Sequence, residues 1–398
     1  MIEITNPKNC CGCGVCYVVC PASAIAMTHD TEEKTLSDFP KVDTDKCVDY
    51  GKCEIVCPML SFKDNVSTEC YALVSRDEDV VSKSSSGGAF TEICDVFASF
   101  GGNYMIFGAA FSDDMSVRHV GVDSIEKIAP MRKSKYVQSY SSDAFKEAID
   151  ALKTGKRVLF SGTPCQIAAF NNLANGIEGD YITVDILCHG VPSPRIFKKY
   201  IDFEETRRKK RVVKVSFRNK TRNLLGYESR NLLLKFENGK EIISSRAVNS
   251  YLRGYHSRLF YRDCCYVCPF AKKERVADIT IADAWRVESH YSDLIAQKGV
   301  SMVLINTDKG STIVSRIKKQ SNCRVLPLDF GYNNNSTLRL PSKLHPKSKN
   351  FFELFRTHPF DKAVFLCEPK ATLFIRFANH LLPTKVKKLV NILRKVRV

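Results

Sequence analysis

The sequence predicts a mixed α/β protein in three parts: a cysteine-rich N-terminal module, a longer α/β core and a basic helical C-terminal tail. Three observations predict it. Eight of the 17 cysteines lie between Cys10 and Cys57. From Tyr71 to Asn306, apolar stretches of strand length alternate with amphipathic helical stretches, the pattern of a layered sheet containing parallel strands. Residues 370–398 contain eight Lys or Arg and no acid, with Val386, Leu389, Val390, Leu393 and Val396 on one helical face.

The bulk numbers narrow the class. A chain of 398 residues, 44% of them hydrophobic, can build two or three cores. No apolar run reaches the ~18 residues that a spanning helix needs. Met1-Ile2-Glu3-Ile4 lacks the basic and apolar regions of a secretory signal, so a cytoplasmic location is expected. Abundant cysteine there points to metal or redox chemistry rather than disulfides. The formal charge of +17 invites an acidic partner. It suits an acidic electron carrier such as a ferredoxin. Nucleic acid is not expected, because the basic residues are scattered and no nucleic-acid motif occurs. The basic tail is expected first to dock on its own domain and second to make peripheral membrane contact.

The elements follow in order. Residues 1–66 form the cysteine-rich module. Residues 67–150 begin with a strand at Tyr71–Ser75, followed by the loop Ser84-Ser85-Ser86-Gly87-Gly88. That loop opens a helix from Ala89 to about Phe100, ended by Gly101 and Gly102. Asn103–Phe111 reads as a strand and Ser142–Lys153 as an amphipathic helix. Residues 151–330 hold strands at Arg157–Ser161 and Tyr181–Leu187, with helices starting at Pro164 and spanning Ser193–Lys209. An antiparallel insert follows at Val212–Phe217, Leu232–Phe236 and Glu241–Ser245, with a hairpin turn at Asn238-Gly239. Strands at Val276–Ala282 and Ser301–Asn306 complete the sheet, and residues 331–398 form the tail.

Cys10, Cys13, Cys16 and Cys20, followed by Pro21, have the spacing C-x2-C-x2-C-x3-C-P of two-cluster bacterial ferredoxins. Three thiolates at this spacing wrap one iron–sulfur cube, while the fourth points at the other. Gly12 and Gly14 let backbone N–H groups approach the sulfurs. The second half of the motif is Cys47, Cys53, Cys57 and Pro58, with Tyr50 where a cysteine is expected. By the crossed rule, Cys10, Cys13, Cys16 and Cys57 hold one complete 4Fe–4S cluster. The other has only Cys20, Cys47 and Cys53. Three outcomes are open: a three-iron cluster, a borrowed oxygen ligand with Asp49 the nearest candidate, or an empty site. An occupied but labile site is expected. Cys11 reads as a spare thiol.

Four downstream segments stand in a distinctive order. They are Ser84–Phe90, Gly162-Thr163-Pro164-Cys165-Gln166, Cys188-His189-Gly190-Val191-Pro192-Ser193-Pro194, and Cys265-Tyr266-Val267-Cys268 with Arg275–Thr280 behind it. Together they resemble the coenzyme F420 hydrogenase/dehydrogenase beta subunit family, in its bacterial members with an N-terminal 4Fe–4S dicluster ferredoxin domain. The resemblance runs from about residue 1 to 330. It implies a mixed α/β flavin-binding core and an FAD-dependent iron–sulfur reductase or dehydrogenase. Where the family has a Gly-Asp-Phe-Trp-Gly-type stretch, this chain has Ala282-Asp283-Ala284-Trp285-Arg286.

On that footing, Ser85, Ser86, Gly87 and Gly88 are the candidates for contacting the flavin diphosphate, since a Gly-Gly turn at a helix start presents free N–H groups. Cys165 begins a helix, a position that favours thiolate. Cys188 ends the next strand, at the sheet edge where ligands bind. With Cys265 and Cys268, these two are candidate ligands of a third cluster. His189 is the candidate proton donor to flavin or substrate. The function expected is electron transfer from a reduced carrier through 4Fe–4S clusters to FAD and then to a small organic substrate. The alternative is a non-catalytic electron-relay subunit of a larger redox complex.

Overall fold

The computed structural model describes residues 1–369, except residue 5 and residues 30–35, 221, 224–225, 228–230 and 296–298. The amphipathic pattern between Val386 and Val396 lies outside the described residues. Among the described residues no helix is long and apolar enough to cross a membrane.

The N-terminal module is a near-repeat. Helix α1 (Val15–Val19) starts at Gly14, φ +79°, and α2 (Lys52–Ile55) starts at Gly51, φ +73°. Each glycine takes the left-handed backbone that turns a cysteine-bearing helix back toward its loop. Between them, β1 (Ile25–His29) and β2 (Asp38–Val42) form an antiparallel hairpin, with Ile25 opposite Val42.

The core is an eight-stranded mixed sheet. Its members are β3 (Glu69–Val74), β4 (Tyr104–Phe111), β5 (Val117–Val122), β6 (Arg157–Gly162), β7 (Tyr181–Ile186), β13 (Ile279–Asp283), β14 (Ser301–Ile305) and β15 (Asn322–Leu326), in the order β15-β3-β14-β13-β7-β6-β4-β5. The central four, β13-β7-β6-β4, run parallel, and the flanking pairs are antiparallel. The parallel centre is buried on both faces, as its continuous apolar runs require.

Strand alternation divides those side chains. Val158 and Phe160 face α5 (Ser142–Lys153) and α6 (Pro164–Ala174), while Leu159 faces α4 (Ala89–Ser99) and α9 (Asp308–Gln320). Phe160 stacks on Phe170 at 4.6 Å, Phe145 at 5.4 Å and Phe107 at 5.7 Å. A buried ion pair, Arg275 to Asp185 at 2.7 Å, ties the segment before β13 to β7.

The third layer is a smaller antiparallel sheet of β8 (Val212–Asn219), β11 (Asn231–Phe236) and β12 (Glu241–Ser244), with the two-residue pair β9 (Arg222–Asn223) and β10 (Gly226–Tyr227) beside it in sequence. The β11–β12 turn closes at Gly239, φ +81°. This layer packs on α7 (Pro194–Arg208) and α8 (Ser250–Ser257). Two further helices, Ser348–Thr357 and Phe360–Cys367, insert Phe351, Phe360 and Val364 into the same aromatic core.

The N-terminal module is bonded to this core. Gln138 donates through Nε2 to the carbonyls of Cys11 and Gly12, both at 3.0 Å, and Ser141 Oγ donates to Cys13 O at 3.0 Å. Asn172 Nδ2 donates to Ser61 O at 2.7 Å, and Asn65 and Arg275 exchange backbone hydrogen bonds. Val15, Cys11, Cys13 and Val56 belong to the hydrophobic cluster of α5 and α6.

Candidate functional site

The two halves of the N-terminal motif fold onto each other through their cysteines. Burial pushes the Cys10 thiol up to about 11 and the Cys16 thiol up to about 12. Cys57 adds to the rise at both, and Cys10 adds to it at Cys16 and Cys13. Cys10 is therefore near Cys13, Cys16 and Cys57, and Cys16 is near Cys13 and Cys57. Backbone amides point at their sulfurs: Gly12 N lies 3.3 Å from Cys10 Sγ, and the amides of Val15, Tyr17 and Met59 serve Cys13, Cys16 and Cys57. Hydrogen bonds of this kind stabilise thiolates and are a means of tuning a cluster. Donor chemistry and amide supply both fit a cube; bound iron would replace protons that burial otherwise holds on sulfur.

The second set is less complete. Cys20 and Cys53 pack beside Cys16 and Cys57, and Ala24 N donates to Cys20 Sγ at 3.2 Å. Tyr50 is 67% exposed. Asp49 receives the N-terminal ammonium at 3.4 Å, as Glu54 does at 3.2 Å. Among the described residues no three His, Cys, Asp or Glu side chains are gathered as ligands of a single ion would be.

A second group of cysteines converges at the carboxyl end of the parallel strands. Cys165 begins α6, behind a Thr163–Gln166 capping box, and Cys188 follows β7. Cys265 and Cys268 sit on the 3-10 turn Asp263–Val267 and its C-cap. All four line a cavity of about 40 Å³, and Cys11 and Cys264 line it too. The helix start does not depress the Cys165 thiol, contrary to the sequence expectation. Its hydrogen bond with Cys11 and its burial raise it well above the usual range, and Thr163 only partly offsets this. Gly190 N donates to Cys188 Sγ at 3.3 Å, while the amides of Val191 and Phe270 serve Cys265 and Cys268. The donor pattern repeats that of the N-terminal loop.

Against this cage lies a cavity of about 710 Å³, the size range of small-molecule and cofactor sites. Cys11, Cys165, Cys188 and His189 line both spaces. The large cavity is floored by the ends of β6, β7 and β13, at Gly162, Leu187 and Asp283. Ser85, Ser86 and Gly88 line it. Ser85 Oγ accepts from Ser134 N at 2.8 Å, whereas Ser86 Oγ is buried with no hydrogen-bond partner. Gly88, φ +98°, turns the chain into α4. Gly87 does not line the cavity. It is pressed between β3 and β14, where a Cβ would lie 2.1 Å from Leu73 O and 2.8 Å from Ser301 N.

The opposite wall is basic: Arg132, Lys133 and Lys135 from the segment after the 3-10 helix Ile125–Met131, and Arg218 from β8. Lys135 Nζ donates to the carbonyls of Pro130 and Arg132, both at 2.8 Å, and desolvation pulls its pKa down to about 7. Arg218 pairs with Asp283 and leaves its Nε without a hydrogen-bond partner. Tyr136 and Tyr255 stack at 4.2 Å on the rim. His189 is held below the usual imidazole range by burial, and its carbonyl accepts from Ser342 at 2.5 Å. His119 also lines the cavity, held between Ser161 O and Ser139 Oγ, each at 2.9 Å, and burial lowers its pKa to about 4.

Sequence reasoning missed Cys264, the 132–135 basic wall and the part played by Cys11. A run of Arg and Lys around Ser134, mirroring the serine loop it bonds, is the signal that marks the second of these.

Fold and cysteine pattern together define an iron–sulfur electron-transfer protein with a mixed α/β core. Residues 9–60 match the 4Fe-4S dicluster domain. Residues 155–329 match the C terminus of the coenzyme F420 hydrogenase/dehydrogenase beta subunit. The two matched segments stand in one chain, a dicluster module ahead of a region similar to the C terminus of that beta subunit. Among solved structures it resembles a chain of the F420-reducing NiFe hydrogenase complex from Methanosarcina barkeri. The identity is 17% and the TM-score 0.47, over 77% of this chain and 90% of that one. No curated protein sequence matches.

Proposed function

We propose that the chain is an iron–sulfur flavoprotein oxidoreductase. It takes electrons from a reduced, acidic carrier of the ferredoxin kind and delivers them through cysteine-held 4Fe–4S clusters to FAD, which reduces a small organic substrate. The observation that carries this reading is the shared wall: the cysteine cage opens on the same side chains that close the 710 Å³ cavity. Flavin bound in that cavity would supply both one-electron and hydride chemistry.

The chain's own residues have distinct tasks. Cys10, Cys13, Cys16 and Cys57 hold one cluster, Cys20, Cys47 and Cys53 a second, and Cys165, Cys188, Cys265 and Cys268 a third. The unpartnered Ser86 hydroxyl, the N-terminus of α4 and the Arg132–Lys135 wall supply donors and positive charge for a diphosphate. His189, neutral near pH 7 because its pKa is lowered, stands where both spaces meet and can hold or pass a proton.

Anaerobic purification with iron, sulfide and flavin quantified together tests the proposal. About 8 to 12 irons per chain with one flavin, bleached by reduced ferredoxin, is expected. Iron without flavin would instead make the chain a non-catalytic relay subunit.

A further inference from the structure

We infer that Arg262 sets the reduction potential of the cluster held by the Cys10 loop, acting as a buried positive charge beside it. Arg262 is 3% exposed. Its guanidinium donates to Gln138 Oε1 at 2.9 Å, Asp38 O at 3.0 Å and Cys10 O at 3.4 Å, and lies over the Phe39 ring at 5.2 Å. Each of these partners is neutral. Nε has no hydrogen-bond partner, and among the described residues no carboxylate forms an ion pair with this guanidinium.

The adjacent Asp263 carboxylate feels this charge without forming an ion pair with it, and Cys264 hydrogen-bonds it. A buried cation with no paired carboxylate is costly unless a further counter-charge faces it. Sulfur faces this one: Cys264, Cys10, Cys265 and Cys11 are the groups that act on it electrostatically. A four-thiolate cluster is net negative and becomes one unit more negative on reduction. A fixed cation beside it therefore favours the reduced state, and burial keeps solvent and salt from screening the effect.

The loop is shaped to admit the guanidinium. A Cβ at Gly12 would lie 2.7 Å from Arg262 Cζ and Nη2, on a backbone already at φ +66°. Glycine at this position thus serves the arginine as well as the cube. The inference rests on the dicluster module alone and is independent of flavin.

The test is a redox titration of the N-terminal cluster, followed by electron paramagnetic resonance, in the full-length holoprotein and in Arg262→Gln and Arg262→Lys. At the wild-type midpoint, the oxidised-to-reduced ratio in the Gln variant is expected to move from 1:1 to about 10:1, a fall of about 59 mV for one electron. The Lys variant, which retains the charge, keeps a midpoint near that of the wild type. A Gln variant with full iron and an unmoved midpoint overturns the inference. So does loss of iron in both variants, or a tenfold shift in the Lys variant, since each marks a role in shape rather than charge. If the Gln variant alone loses its cluster, an unmoved Lys midpoint sustains the inference. Flavin content is recorded in parallel, so failure of the flavin reading is seen separately.

Discussion

Replacing Gly87 by alanine tests how the serine loop is held against the large cavity. The added methyl would sit 2.1 Å from Leu73 O and 2.8 Å from Ser301 N. Both are backbone atoms of paired interior strands and cannot yield as a flexible side chain would. The loop must therefore move. It then loses the hydrogen bonds from Gly87 N to Ser301 Oγ, 2.9 Å, and from Ser75 N to Gly87 O, 2.8 Å. Two buried hydrogen bonds at about 1 kcal/mol each, with residual strain, sum to about 2–4 kcal/mol. That is less than the ~5–15 kcal/mol of a typical fold. The chain should stay folded, with its urea midpoint lowered by about 1 M and with Ser85, Ser86 and Gly88 displaced from the cavity wall. Urea unfolding followed by circular dichroism reads the first effect, and flavin retained through gel filtration reads the second. Gly101→Ala is the control: Gly101 has φ +77° but no atom within 4 Å of a new Cβ. It should cost about 1 kcal/mol and leave flavin binding alone. A Gly87→Ala protein with an unchanged urea midpoint and full flavin would refute the packing argument.

Three further outcomes are expected. Tyr50→Cys supplies the missing ligand of the second cluster, so iron per chain should rise and any three-iron resonance give way to a four-iron signal. Arg275→Met strands the buried Asp185 carboxylate and should cost about 3–5 kcal/mol by urea unfolding; a loss under 1 kcal/mol would contradict the pairing. Finally, His119 is neutral in the fold, its pKa lowered to about 4, but titrates near 6.5 when unfolded. The stability linked to it is present above pH 6.5 and lost as pH falls toward 4, at up to about 1.4 kcal/mol per pH unit. Stability measured against pH should therefore fall less steeply in His119→Gln than in the wild type over that window.

Much of this architecture was legible in the residues. Gly88, Gly101 and Pro164 punctuate helices as expected, because their backbone restrictions are local. The central strands were legible because burial on both faces leaves an unbroken apolar run, as in Val158-Leu159-Phe160. The hairpin Ile25–Val42 and strand Val117–Val122 were not. Their alternation is short, polar-interrupted and decided by tertiary partners. In the site, cysteine spacing marked Cys10, Cys16 and Cys57 as neighbours, and the structure brings these thiols near one another. The convergence of Cys11 with Cys165 spans more than 150 residues, and no local pattern carries it. The thiolate expectation for Cys165 failed for a related reason. A helix start acts locally, whereas the neighbouring Cys11 and the surrounding burial are products of the whole fold.

The hydrogen bonds from Gln138 and Ser141 to the carbonyls of Cys11, Gly12 and Cys13 decide how charge can travel. A ferredoxin on a loose tether would have to swing and dock at every turnover, and its rate would fall with solvent viscosity. Here the wire is soldered in place. Under the proposed function, the path from the N-terminal loop to the cage would have a constant length, and the slow step would be left to encounter with the external donor.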